Sequence, residues 1–255
     1  MKELILLFLA LASIGCCYEP DLRESNLFGN VEKTTEYLIS IKSDSLNSQQ
    51  GDTIKITTKL FKEKNLISKR SDSMLSIGEN MNITFEYDDC GKTKKEIVSI
   101  SGISNPTIVD YHYNKSLLDR TISESTDDRY SFRQLGKYFY DSSGKISESC
   151  LSTIFIDLST GDTVKKLDEI DRYDVEGKIV ESSQIDHIKP ANNNRHEYSY
   201  REQRLYSTRV FDRTDSIVSI GYVEYENDSE NNWITKKVFE NGNLRRILIR
   251  EIEYR

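Results

Sequence analysis

The stretch YFYDSSGKIS, residues 138–147, reads as a strand, a tight turn and a second strand. Asp141 can bond the backbone two residues on and start a turn. Gly144 fits a left-handed position that closes a short hairpin loop, with a bulge, and Lys145-Ile146 begins the return strand. Nearly the same phrase returns as DRYDVEGKIV at 171–180, and FEYDDCGKTKKE at 85–96 shares its Tyr-Asp-x-x-Gly-Lys pattern, with Gly177 and Gly91 in the place of Gly144. Weaker copies are YHYNKSLLDRT (111–121), YSYREQRLYST (198–208), VEYENDSENNW (223–233), KLFKEKNLISK (59–69) and TEYLISIKSDS (35–45).

The aromatic residue before each turn anchors the comparison. The anchors are Tyr37, Phe61, Tyr87, Tyr113, Tyr140, Tyr173, Tyr200 and Tyr225, spaced 24, 26, 26, 27, 33, 27 and 25 residues apart. A near-constant period over most of a chain marks a repeat architecture. About 26 residues hold two strands of roughly nine and two connections of roughly four, so each unit is a hairpin with a link to the next. The long interval contains LSTGDTVKK, which reads as a lengthened connection. In HEYSYR, His196, Tyr198 and Tyr200 share one face of a strand; in VDYHYN, Val109, Tyr111 and Tyr113 do the same.

The fold class that follows is all-β: an antiparallel meander of hairpins, with on the order of sixteen strands. So many twisted strands cannot stay flat and must coil, split into two layers or close. The expected form is a long curved or coiled sheet. The tail NNWITKKVFENGNLRRILIREIEYR adds a hairpin at Asn241-Gly242, a two-residue turn signal. Its last strand carries Ile247 and Ile249 on one face and Leu244, Leu248 and Ile252 on the other, a pattern that suits burial on both sides.

The Tyr-Asp-x-x-Gly units resemble the YD repeats of the RHS family, and FENGNL is similar to the hairpins of MORN-like antitoxin proteins. The tail is similar to the ends of uncharacterised repeat lipoproteins of Gram-negative bacteria. The resemblance implies extended β architecture and roles in encapsulation, binding or toxin systems, and no shared catalytic residues.

MKELILLFLALASIGCC has a positive Lys2, an apolar run from Leu4 to Ala12 and small residues after it, as a secretory signal requires. Ser13-Ile14-Gly15-Cys16 resembles a bacterial lipobox, which implies a lipid on Cys16. The other reading of the same run is an ordinary secretory signal. The expected division is a signal peptide over 1–15, a lipidated Cys and polar tether over 16–34, and a repeat domain over 35–255. No second apolar run follows, so the remainder is expected to be soluble, outside the cytoplasm, and held to the outer membrane by the lipid.

The formal net charge is -7, which disfavours nucleic acid and anionic membrane as non-specific partners. His112, His187 and His196 stand alone, and no metal, nucleophile or phosphate-loop motif appears. Asp88, Asp89, Asp228 and Glu230 lack calcium-loop spacing and read as turn formers. Asp168, Glu169 and Asp171 can act as a glycosidase pair only across a cleft of defined width. Cys90 and Cys150 lie about four strands apart, roughly 19 Å across a flat sheet, too far to bond. The reading is therefore no enzyme and no cofactor: a lipid-anchored envelope protein whose β-repeat surface binds a protein or glycan partner. A row of exposed Tyr would supply that surface. The alternatives are an immunity protein of a toxin system and an outer-membrane β-barrel. Against the barrel, Lys94 and Glu96 fall on one face and Lys95 on the other.

Overall fold

The computed structural model describes residues 27–41, 51–62, 66–126 and 129–255. The apolar leader and Cys16 lie outside the described residues. Sixteen strands follow in chain order among the described residues. The first eight are β1 (Val31–Ile41), β2 (Gly51–Phe61), β3 (Ile67–Met74), β4 (Glu79–Tyr87), β5 (Thr93–Ile100), β6 (Thr107–Asn114), β7 (Leu117–Thr126) and β8 (Tyr130–Tyr140). The rest are β9 (Ile146–Asp157), β10 (Thr163–Tyr173), β11 (Ile179–Asp186), β12 (Asn194–Arg201), β13 (Arg204–Asp212), β14 (Ile217–Asn227), β15 (Trp233–Glu240) and β16 (Asn243–Tyr254). β1 opens inside the segment read as tether.

Each strand pairs antiparallel with its sequence neighbours, and β1 also pairs with β16. The meander is therefore a closed barrel, which corrects the expected open, curved or coiled sheet. Closure satisfies the backbone groups that two free edges would expose. The seam runs from Val31↔Tyr254 to Ser40↔Arg246, and Arg255 N–H donates to the Asn30 carbonyl at 2.8 Å. Lys33 adds an ion pair to Glu253 at 2.5 Å. Each strand packs mainly on its two ladder partners, as in a wide barrel whose middle stays open.

The repeat is built as follows. Asp141 Oδ1 accepts the Ser143 and Lys145 N–H groups at 2.8 and 2.9 Å. The Gly144 N–H donates to the Asp141 carbonyl at 3.0 Å. Gly144 has φ +79°, and Gly91 and Gly177 share that value at the same place in their turns. Asp88 and Asp174 accept in the same way from Lys92 and Lys178. The ladder register slips by one residue just before Tyr87, Tyr113, Tyr140, Tyr173 and Tyr200, the bulge that a left-handed turn residue produces. Asn241 (φ 48°) and Gly242 (φ 79°) make the two-residue turn between β15 and β16.

The anchors ring one rim of the barrel. Phe61, Tyr87, Tyr140 and Tyr173 end β2, β4, β8 and β10; Tyr113, Tyr200 and Tyr225 sit near the ends of β6, β12 and β14. Tyr254 completes the ring on β16, while Tyr37 lies in the body of β1 and its hydroxyl bonds Glu251 instead. The 33-residue interval is also not a longer loop. Only 158–162 join β9 to β10, and the extra residues lengthen those two strands to 12 and 11.

Directly paired residues share a face of the sheet. Following the ladders, the row Arg250, Glu36, Thr57, Asp72 and Met81 faces the lumen. The buried apolar residues Met74, Ile83, Ile100, Phe155, Leu167, Leu205 and Val223 lie on this inner face, with Phe132 and Phe155 rings 4.9 Å apart. The outer wall is largely polar. It carries the ion pairs Lys95–Asp110, Arg133–Glu124 and Arg172 with Glu148 and Glu181. Single apolar residues such as Ile108, Phe139, Ile220 and Ile249 stand exposed among them. β16 is thus covered on its Leu248 face alone, since Ile249 is 40% exposed.

A lumen cavity with a buried ion-pair cluster

The anchor tyrosines are structural ties. Their hydroxyls reach back across one strand to the start of the preceding hairpin arm. Tyr113 donates to the Thr93 carbonyl at 2.8 Å, Tyr140 to Leu118 at 2.8 Å, Tyr200 to Ile179 at 2.9 Å and Tyr87 to Ile67 at 2.5 Å. The Tyr173 hydroxyl instead meets Ser149 Oγ at 3.1 Å, and burial pushes its pKa up to about 12. Tyr225 lies under Lys236 and Arg204, at 5.2 and 5.5 Å from the ring centre. These rings face inward and do not form a row on the outer surface.

The other sequence candidates separate. Asp168 and Glu169 point to opposite faces of β10 because side chains alternate. Asp168 meets His187 Nε2 at 2.7 Å near the outer wall. Glu169 and Asp171 face the lumen, where burial raises both; Asp171 adds to the rise of Glu169, whose pKa reaches about 7. Asp88 and Asp228 hold their turns, Asp228 Oδ1 accepting from Glu230 and Asn232 N–H at 3.0 and 2.9 Å. His112 is exposed. Cys90 lies in the β4–β5 turn and Cys150 on the outer face of β9, both with free thiols. Lys94 and Glu96 face inward and Lys95 outward, and the Tyr111 hydroxyl donates to Glu96.

The lumen between β1, β2 and β12 to β16 holds a cavity of about 690 Å³. Leu27 and Phe28 close over it at the tyrosine rim, where Asn232 clasps the Phe28 backbone at 2.7 and 2.9 Å. Its wall holds part of a cluster the sequence reading missed: Glu36, Lys55, Thr57, Lys59 and Arg250 line the cavity, and Arg70, Asp72 and Lys236 share the inner face on the neighbouring strands β3 and β15. Glu36 accepts from Arg250 at 2.8 and 3.0 Å and from Lys59 at 3.3 Å. Asp72 accepts from Arg70 at 2.9 Å, Lys55 at 3.2 Å and Thr57 Oγ1 at 2.6 Å. Burial alone would raise both carboxyls, but Lys59 and Arg250 hold Glu36 below its ordinary range, and Arg70 and Lys55 do the same for Asp72. Burial lowers the Lys55 amine despite Asp72. Lys236, 1% exposed, lies 5.2 and 5.5 Å from the Tyr225 and Trp233 rings; burial and then Arg250 lower its pKa well below that of a free amine. The Arg250 guanidinium stacks on Trp233 at 3.5 Å. The signal was present as alternation: Lys55, Thr57, Lys59 and Phe61 share a face, as do Arg70, Asp72 and Met74. It passed unread because the outward positions are equally polar.

No protein-family model matches the chain, and no curated protein matches it. Among solved structures, a porin-like protein from Bacteroides uniformis matches 89% of this chain and 99% of its own, at 10% identity and a TM-score of 0.50. A porin-like protein from Bacteroides vulgatus matches 68% of this chain and 94% of its own, at 13% identity and a TM-score of 0.44. The first likeness is one of fold: closure of a long antiparallel meander into a barrel.

Proposed function

We propose that the chain is a non-catalytic β-barrel of the bacterial cell envelope, lipid-anchored at Cys16, that binds a small molecule inside its lumen. The observation that carries this reading is the cavity of about 690 Å³ on the inner wall, within the 300–1,000 Å³ range of small-molecule sites. Closure supports a barrel over the open Tyr-lined surface that the repeats suggested.

Closure and the likeness to porin-like proteins favour a second reading, a barrel that spans the outer membrane. The outer wall argues the other way. A spanning barrel needs a continuous apolar band about 25 Å tall. Here Arg133–Glu124, Lys95–Asp110 and the Arg195 pairs with Glu181 and Glu197 occupy the outward positions of the strands.

The full chain carrying Cys16→Ser separates the two. The first reading expects it in the soluble fraction without detergent, and without conductance in planar bilayers. Extraction only by detergent, with channel activity, would replace it with the spanning barrel.

A further inference from the structure

The wall of the cavity carries more buried positive charge than negative. Lys55, Lys59, Arg246 and Arg250 line it from β2 and β16, and Lys59 is only 3% exposed. Glu36 is the carboxylate set among them and is already shared between Lys59 and Arg250, while Asp72, on β3 outside the cavity, is shared between Lys55 and Arg70. Further along the sheet the inward carboxyls Glu79 and Glu96 accept from the Ser101 and Tyr111 hydroxyls. At the ends of the cavity charges are matched more evenly, with Glu202 beside Arg204 and Glu240 facing Arg245 at 3.9 Å. A net positive charge taken out of water is costly unless an anion answers it. That excess stands out in a protein whose overall charge is -7.

The same cavity is apolar along β13, β14 and β15, where Leu205, Val223, Trp233 and Val238 line it. A site with a basic patch at one end and an aliphatic and aromatic wall beyond it matches one ligand chemistry. We propose that the lumen binds a single-chain amphipathic anion, its acidic head against Lys55, Lys59 and Arg250 and its hydrocarbon chain along Leu205, Val223 and Trp233. This deepens the lumen-binding reading and rests on it.

The test is calorimetric titration of the full chain carrying Cys16→Ser, free of detergent, with three twelve-carbon probes below their micelle concentrations: dodecyl sulfate, dodecyltrimethylammonium and dodecyl maltoside. Dodecyl sulfate is expected to bind at one site at least tenfold more tightly than the cationic or neutral probe. Val238→Trp, which fills the apolar wall, and Lys55→Met, which removes one cation of the head site, should each weaken it tenfold or more, with folding checked by circular dichroism. Equal affinity for all three probes overturns the anion assignment and leaves a lumen-binding barrel standing. Binding of none of them overturns both. Since the three probes are compared with the lumen unaltered, the anion assignment stands or falls there even where a lumen variant does not fold.

Discussion

The Lys178 amine lies 5.2 Å from the centre of the Tyr200 ring, which belongs to the next hairpin. Lys92 stands in the same relation to Tyr113 at 5.2 Å, Lys62 to Tyr87 at 5.8 Å and Arg204 to Tyr225 at 5.5 Å. Lys92, Lys178 and Arg204, just after their turns, and Lys62, just after the Phe61 anchor, thus reach the anchor of the following unit. Lys145 makes the equivalent link through the Val175 carbonyl at 2.7 Å. The recurring Lys and Tyr therefore stitch neighbouring hairpins along the rim.

Tyr200→Phe keeps the ring under Lys178 and removes the hydrogen bond to Ile179. It should cost about 1 kcal/mol in urea unfolding. Lys178→Met keeps the hydroxyl bond and should cost about 0.5–1 kcal/mol. No loss in either variant would mean that the rim is held by the ladders alone.

Two glycines should fail for different reasons. A side chain at Gly144 meets nothing within 4 Å, so Gly144→Val carries only the strain of φ +79°, about 1–3 kcal/mol. A Cβ at Gly221 would lie 2.5 Å from Thr208 Oγ1 and 3.2 Å from the Phe239 carbonyl. Gly221→Ala should therefore cost about 1–3 kcal/mol by overpacking. Adding Thr208→Ala should return part of that loss and return nothing to Gly144→Val. Melting temperatures of the four proteins decide it.

Glu36→Gln removes the carboxylate shared by Lys59 and Arg250. Breaking a buried pair from one side should cost about 3–5 kcal/mol. Glu36→Gln with Lys59→Met removes charge from both sides and should be more stable than Glu36→Gln alone. Denaturant titration gives the coupling, and strict additivity would mean that the pair does not interact.

The lumen carboxyls give opposite pH dependences. Glu36 and Asp72 have lowered folded-state pKa values, so their contribution is complete above the ordinary carboxylate range and is lost as the pH falls through the lowered values. Glu169 is raised from 4.5 to about 7. Its protonated form is the one the fold favours, so its contribution is complete below 4.5 and lost as the pH rises to about 7. Stability should therefore decline on acidification and also between those two values. Glu169→Gln should raise the melting temperature at about pH 8 and change it little at about pH 4. An equal change at both would remove Glu169 as the source of the alkaline decline.

Much of the architecture was legible in one phrase. Tyr-Asp-x-x-Gly-Lys specifies a turn through short-range chemistry: a carboxylate that accepts the next backbone N–H groups, a residue tolerant of positive φ, and a strand on either side. Its period set the hairpin as the unit and about sixteen strands as the total, because those quantities depend only on neighbours in the chain. Tyr37 was misread as an anchor and Tyr254 missed, because the ring of anchors ends at the seam, where the repeat phrase fades.

What only the tertiary structure decided is closure, and with it the meaning of every face. Pairing of β1 with β16 joins residues more than 200 positions apart, and no local pattern encodes it. Alternation assigns side chains to two faces but cannot say which becomes the lumen when both carry Lys, Glu and Thr. Closing the sheet turned one face into a low-dielectric wall. There Lys55, Lys59, Arg70, Lys236 and Arg250 gather around Glu36 and Asp72, although in the chain they are scattered from residue 36 to residue 250.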